Sequence, residues 1–140
     1  MAVHPEYQRQ GFGKMLLSES VDAVRKNVAA LLVRAGLAKV TSLKTPAAAL
    51  DLLETKPCHL IISEWHFDDQ DGLNFLQTVR RHAFPRVRNI AFVVLTADRL
   101  KTSVEAALNA GADDYILKPL SENQIKSQLN ALLLKVVAEQ

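Results

Sequence analysis

The chain is poor in the features that mark several large classes of protein. It has a single cysteine, Cys58, so no disulfide can form within it, which favours a reducing compartment. No uncharged apolar run approaches the roughly 20 residues of a membrane-spanning helix, and the start of the chain lacks the basic-then-apolar order of a signal peptide. We therefore expect a cytoplasmic protein without a membrane partner.

Neither sign of charge is in large surplus. Lys and Arg number 17 against 15 Asp and Glu, which leaves a formal net charge of +2 in 140 residues. Proteins that bind nucleic acid directly usually concentrate positive charge, so we expect no nucleic-acid partner. What the chain does have is apolar residues, 49% of the total, enough to build the core of one domain of this length.

Short runs rich in Val, Ile and Leu predict strands that are buried on both faces. Four runs are clear and a fifth, Ala38–Ser42, is weaker. The clear ones are bounded by polar or turn residues: Met15–Leu17, Leu60–Ile62, Ile90–Leu95 and Tyr115–Leu117.

The segments between these runs are typical of amphipathic helices. Apolar residues recur at helical spacing from Val24 to Ala35 and from Ile125 to Val136, and three more helices are predicted at Pro46–Thr55, Gly72–Arg81 and Lys101–Ala110. The predicted helix caps are Thr45 before Pro46, Ser121 with Gln124, and the glycines Gly36 and Gly111.

Strand and helix thus alternate five times, which predicts an α/β fold: a five-stranded parallel sheet, doubly wound, with helices on both faces in three layers. We assign residues 14–140 to this domain and residues 1–13 to an N-terminal extension. The extension contains Gly11 and Gly13 in a string that resembles the acetyl-CoA loop of GNAT acetyltransferases. An acetyl-CoA loop needs a helix that begins near Gly13, whereas we predict a buried strand there. We therefore interpret residues 1–13 as an extension and not as an acetyl-CoA site.

Polar side chains follow the predicted strands. Glu19 and Ser20 come after the first strand, Glu64 after the third, Thr96 after the fourth and Lys118 after the fifth. In a doubly wound sheet, functional groups gather beyond the carboxyl ends of the strands. The sequence therefore predicts a site where these groups converge.

Three motifs, in this order, resemble the receiver domain of two-component response regulators, especially the single-domain chemotaxis type. They are Asp71-Gly72-Leu73, Leu95-Thr96-Ala97, and Ala110 to Tyr115 leading into Lys118-Pro119. The resemblance spans roughly Lys14 to Lys135. It implies a flavodoxin-like receiver fold with Thr96 as a switch residue, Tyr115 as the switch aromatic and Lys118 as the phosphate-side lysine.

The acidic pocket departs from the pattern that the resemblance implies. A working receiver has two acids after the first strand and a phosphoaccepting Asp at the end of the third, where this sequence has Glu19, Ser20 and Glu64. Ser20 removes a carboxylate from a site that would hold Mg²⁺. Glu64 displaces its carboxylate by roughly 1.5 Å, and misplacement of about 1 Å can cost on the order of a hundredfold in rate. Phosphorylation is expected to be poor or absent.

Each of these residues also has a purely structural interpretation. Glu64 could mimic a phosphoryl group, or it could form a simple ion pair with Lys118. Alternatively, packing could hold the domain in one of its two switch states whatever the residue at position 64. Thr96 could cap the following helix, and Tyr115 could be an ordinary strand aromatic. Asp68, Asp69 and Asp71 favour a turn over a cation site, and the histidines lack zinc spacing, so we expect no metal site.

We therefore interpret the chain as a pseudo-receiver of a phosphorelay, not an enzyme. It would have no cofactor and no small-molecule substrate, and it would bind a protein partner: a kinase, an output protein or a second copy. The partner surface would be formed by the fourth helix, fifth strand and fifth helix, at Lys101, Glu105, Asn109, Lys126 and Asn130. The alternative is a functional phosphoreceiver that uses Glu64 or a displaced acceptor, Asp68 or Asp69, with Mg²⁺.

Overall fold

The computed structural model describes residues 14–17, 22–34, 40–65, 72–118 and 122–138. Within them the strands are β1 Lys14–Leu17, β2 Val40–Leu43, β3 Leu60–Glu64, β4 Ala91–Thr96 and β5 Asp114–Leu117. The helices are α1 Asp22–Arg34, α2 Pro46–Thr55, α3 Gly72–Arg80, α4 Lys101–Asn109 and α5 Glu122–Ala138, with one further helical turn at Pro85–Arg88. No helix in these ranges has the length and apolar character needed to cross a membrane.

The five described strands form one sheet in the order β2-β1-β3-β4-β5, and every neighbouring pair is parallel. The order reverses between β1 and β3, which is the switch point where doubly wound folds place their sites. The predicted doubly wound parallel fold is confirmed.

Alternate residues of the strands supply two separate cores, one on each face of the sheet. Leu16 and Ile62 face a cluster that contains Leu32 of α1 and Ile125 of α5. Met15 and Ile61, their chain neighbours, face a second cluster that contains residues of α2, α3 and α4: Ala49, Leu53, Phe75, Leu76, Val79 and Ala107. A strand that is apolar at every position is therefore covered on both sides, and the three predicted layers are present.

The predicted boundaries are close to those observed. α2 runs over Pro46–Thr55 as predicted, and the Thr45 hydroxyl caps it by accepting from the Ala48 N–H at 3.2 Å. Gly111 follows α4 with a φ of +111°, which confirms its place at the helix end. The predicted caps at Gly36 and Ser121 lie outside the described residues.

Two local predictions differ from the structure. The weak strand lies at Val40–Leu43, later than the predicted Ala38–Ser42. The helical turn Pro85–Arg88 was not predicted, although Pro85 at its first position is a helix-start signal. Four residues are too few for apolar periodicity to reveal a helix.

Asn130, predicted as an exposed partner-surface residue, is buried, with 5% of its surface exposed. That prediction is wrong. Because α5 contacts α1 as well as the core beneath it, burial extends beyond its apolar stripe. Lys126, one turn earlier, is also half-buried and pairs with Glu122 at 3.4 Å.

Candidate functional site

The carboxyl ends of β3, β4 and β5 lie side by side. Glu64 is paired with Leu95, and Thr96 with Leu117. Two more backbone bonds extend this alignment past the strands: the Trp65 N–H donates to the Leu95 carbonyl at 3.2 Å, and the Lys118 N–H donates to the Thr96 carbonyl at 2.8 Å. The backbone thus brings the side chains of positions 64, 96 and 118 to one edge.

Glu64 and Lys118 form an ion pair at this edge. Lys118 Nζ donates to Glu64 Oε1 at 2.5 Å, and the exposed fractions of the two side chains are 35% and 11%. Bonds between two charged groups are shorter and stronger than neutral ones, and more so where water is partly excluded. The ammonium of Lys118 is therefore already neutralised by a carboxylate of the same chain.

The start of α3 packs closely on the residue that carries this carboxylate. The Gly72 N–H donates to the Trp65 carbonyl at 2.5 Å. A Cβ at position 72 would lie 2.8 Å from both the Glu64 carbonyl oxygen and the Trp65 Cα. Only glycine lets the helix approach this strand end, which fixes the backbone beneath Glu64.

Asp98 organises the loop between β4 and α4. Its N–H donates to Thr96 Oγ1 at 3.1 Å, and its carboxylate accepts from the Leu100 N–H at 2.9 Å and from the Ser103 hydroxyl at 2.7 Å. Thr96 therefore does not cap α4, and the capping interpretation is wrong: the N-cap residue is Leu100, without a side-chain bond. Sequence reasoning missed Asp98, although an Asp that bonds two residues ahead is a known turn signal.

Tyr115 closes the same loop from β5. Its ring packs against the cluster formed with α2, α3 and α4, and its hydroxyl donates to the Asp98 carbonyl at 2.8 Å. Burial, and then the negative charge of Asp98, raise the pKa of Tyr115 above its ordinary value of 10.0. The neutral phenol is thus the form that this environment favours.

α4 presents an exposed surface next to this loop. Lys101, Glu105 and Asn109 are exposed as predicted, and Lys101 pairs with Glu105 at 3.8 Å. Leu100 and Leu108 are also exposed, by 65% and 45%. They stand eight positions apart, so with the half-buried Val104 they follow one line along the helix.

Several predicted site residues lie outside the described residues. These are Glu19 and Ser20 of the acidic pocket, the acidic turn at positions 68, 69 and 71, Pro119, and the extension of residues 1–13. Their predicted roles stay predictions.

The described part of the site does not fit a magnesium ion. Glu64 contributes a carboxylate, but its Oε1 is bound to Lys118. Among the described residues, no group of three His, Cys, Asp or Glu side chains comes together in a way that could hold a metal ion. Mg²⁺ prefers several oxygen ligands in octahedral geometry, which these residues do not assemble.

The family model of the response regulator receiver domain matches residues 15–130. The chain belongs to this family. A receiver domain is a signalling module of two-component systems, so the prediction of that family and that broad function is confirmed, while the state of its phosphorylation pocket is a separate question.

Known receiver domains resemble the chain over most of its length. It is 28% identical to the protein named "Probable chemotaxis protein CheY" from Rhizobium etli, over 85% of this chain and 91% of that one. It is 29% identical to the phosphate regulon transcriptional regulatory protein PhoB of Klebsiella pneumoniae, over 88% of this chain but only 52% of PhoB. The solved CheY-like receiver domain protein of Methanospirillum hungatei superposes with a TM-score of 0.77 at 19% identity, covering 92% and 99% of the two chains. At that identity it shows the shared fold.

Proposed function

We propose that this receiver domain is a pseudo-receiver, which binds a protein partner in two-component signalling without aspartyl phosphorylation. The observation that carries the proposal is the Glu64–Lys118 ion pair at 2.5 Å. The position that the family resemblance assigns to the phosphoaccepting Asp holds a longer acid, and the phosphate-side lysine is bound to it. An internal anion thus stands where a phosphoryl group would bring its charge.

Two further features support a fixed rather than a switching site. Gly72 holds the backbone of Glu64 by close contact, and Asp98 ties Thr96, Ser103 and Tyr115 into one network. A carboxylate carries about one charge and two oxygens against the greater charge and three acceptor oxygens of a phosphoryl group. Glu64 is therefore a partial, permanent substitute for the phosphorylated state.

The partner surface that we propose is centred on α4. Receiver domains interact with proteins such as kinases and output domains, and the exposed Leu100 and Leu108 add apolar area beside Lys101, Glu105 and Asn109. Protein interfaces combine apolar anchors with a polar rim of this kind. Substitutions at Lys101 and Leu108 should weaken partner binding more than substitution of Glu64, and the reverse ranking would contradict this assignment. A cytoplasmic location stays part of the same proposal.

Phosphorylation itself is tested by incubation with acetyl phosphate and Mg²⁺, followed by intact-mass spectrometry. We expect no phosphoryl adduct on the natural chain. The matched control is the Ser20→Asp, Glu64→Asp double variant, which restores the acids implied by the family resemblance and should gain an adduct. An adduct on the natural chain, whether at Glu64, Asp68 or Asp69, would establish the functional phosphoreceiver instead.

A further inference from the structure

A second exposed patch lies at the opposite end of the sheet from Glu64. It is formed by the connection between α3 and β4, residues 81–90, which precedes β4 and so lies at the amino end of the strands. β4 has six residues, so the two ends are about 20 Å apart at about 3.3 Å per residue. Nothing in the proposed function uses this end.

This connection is strongly basic and exposes one large aromatic ring. Arg81, Arg86 and Arg88 are all exposed, and the segment 80–90 contains no acidic residue. Phe84 stands among them with 46% of its surface exposed. We call the set formed by Arg81, Phe84, Arg86 and Arg88 the basic-aromatic patch.

The patch is held in one arrangement by contacts with α2. Arg86 donates from Nη1 to the Leu53 carbonyl and from Nη2 to the Glu54 carbonyl, both at 2.7 Å. A cation on the last carbonyls of a helix is favourable because the helix dipole is negative there. The guanidinium also lies 5.3 Å from the centre of the Phe84 ring, on which it stacks.

His82 is the second side chain that positions the Phe84 ring. The two ring centres are 5.0 Å apart, and His82 Nδ1 accepts from the Phe84 N–H at 3.0 Å. Because Nδ1 accepts, the neutral imidazole carries its proton on Nε2, which faces Glu54 Oε1 at 3.1 Å. The ring is thus exposed but positioned, which lowers the entropy that it loses on binding.

The positive charges of the patch outnumber the negative charge next to them in the described part of the chain. Arg86 and Arg88 bind neutral carbonyls, and Arg88 Nη1 reaches the His82 carbonyl at 3.2 Å. The Glu54 carboxylate, which accepts from the neutral His82, places one negative charge beside the patch, and Arg81 forms no ion pair with any described residue. Three cations around a fixed aromatic ring therefore face solvent.

We propose that the basic-aromatic patch is a docking site for an acidic segment of a partner protein that also carries an apolar side chain. Arg and aromatic residues are the types that dominate protein–protein binding energy, and Arg binds carboxylates in a bidentate manner. Nucleic-acid binding gains affinity by neutralising many phosphates, for example about 6–10 in one interface, and lipid headgroups attract clusters of about 4–8 basic residues. Three arginines and one ring fit a short acidic peptide better than either.

The test uses the full chain and a short fluorescein-labelled peptide of Asp, Glu and Leu, with binding followed by fluorescence anisotropy. Arg81→Glu and Phe84→Ser should each raise the dissociation constant about tenfold. Lys26→Glu is the matched control, because Lys26 is also exposed but lies on α1. It should change binding by less than about twofold. Circular dichroism verifies the fold of each variant.

The other outcomes overturn the proposal. No binding of the peptide, or equal losses for Arg81→Glu and Lys26→Glu, would show that the patch is not a specific site. Tighter binding to oligothymidine, or to vesicles of phosphatidylcholine with phosphatidylserine, with the same dependence on Arg81, would assign the patch to nucleic acid or to a membrane surface. None of these results bears on Glu64, so the pseudo-receiver proposal is tested independently.

Discussion

Glu64 gives the site its character at the scale of single residues. Its carboxylate and the Lys118 ammonium are both partly shielded from water, which strengthens their attraction but also raises the cost of removing one of them. If the ion pair does not stabilise the site, the coupling free energy between Glu64 and Lys118 should be close to zero. If the ion pair holds the site in one arrangement, that coupling free energy should be clearly favourable.

A double-mutant cycle with Glu64→Gln and Lys118→Met measures that link. We expect a coupling free energy of about 1–2 kcal/mol from urea unfolding of the natural chain, the two single variants and the double variant. If the two single effects add to within about 0.5 kcal/mol, the ion pair does not stabilise the site.

Tyr115 provides a second prediction at this scale. Burial, and then the charge of Asp98, raise its pKa above the ordinary 10.0. A raised pKa in the folded state means that the neutral phenol stabilises the fold fully below the unfolded value and loses that contribution as the pH rises through the folded value. Stability should therefore fall from about pH 10 upward.

The Tyr7→Phe variant isolates this titration, because the chain has two tyrosines. Ultraviolet absorbance should place the midpoint of its tyrosinate signal above that of a free tyrosine amide. A midpoint equal to or below that of the free amide would contradict the raised pKa.

At the scale of elements, Arg80 joins the end of α3 to the connections that precede β4 and β5. Its guanidinium donates to the Gly111 carbonyl at 2.8 Å, to the Ile90 carbonyl at 2.6 Å and to Asp113 Oδ2 at 3.1 Å. Burial lowers the pKa of Arg80, while Asp113 opposes the shift. The planar fork lets one side chain bond two separate connections at once, which an ammonium cannot do as well.

Arg80→Lys should therefore lower the free energy of unfolding by about 1.5–3 kcal/mol, since carbonyls would lose a charged donor. The control is Arg81→Lys, at the exposed next position, with an expected change within about 0.5 kcal/mol. Thermal and urea unfolding measure both. Equal effects at the two positions would show that the network of Arg80 contributes nothing specific.

Sequence reasoning predicted the elements well where local signals determine them. Thr45 before Pro46, Gly111 after α4 and the continuous apolar run of β4 each depend on a few neighbouring residues. The Arg80 network was not predictable in the same way, because its carbonyl partner at Gly111 lies 31 positions along the chain. The burial of Asn130 likewise depends on how α5 meets α1.

The candidate site likewise has some features that the sequence predicts and others that it does not. The order of strands brings positions 64 and 118 together, so their contact follows once a doubly wound sheet is predicted. The role of Asp98 and the arrangement of Phe84 between His82 and Arg86 depend on loop geometry. Loops have no apolar period to read, so although Asp98 carries a turn signal, its bonds to Thr96, Ser103 and Tyr115 could not be predicted from the sequence.

At the scale of the whole molecule, the two ends of the sheet have different characters. The carboxyl end holds an internal ion pair and a network fixed by Gly72 and Asp98, next to the exposed face of α4. The amino end presents the basic-aromatic patch. Under the two proposals made above, the domain is a constant binding module with two faces, whose output depends on its abundance and partners rather than on phosphorylation.

The pseudo-receiver proposal requires that the pocket at Glu64 does not accept a phosphoryl group, and the neighbouring Trp65 offers an optical probe of that pocket. Trp65 is the single tryptophan, it follows Glu64, and it is buried. The measurement is its fluorescence during titration with beryllofluoride and Mg²⁺, where beryllofluoride stands in for an aspartyl phosphate. We predict no change in the natural chain and a saturable change in the Ser20→Asp, Glu64→Asp control. A saturable change in the natural chain would show that the pocket binds the phosphoryl analogue and that the domain is not a pseudo-receiver.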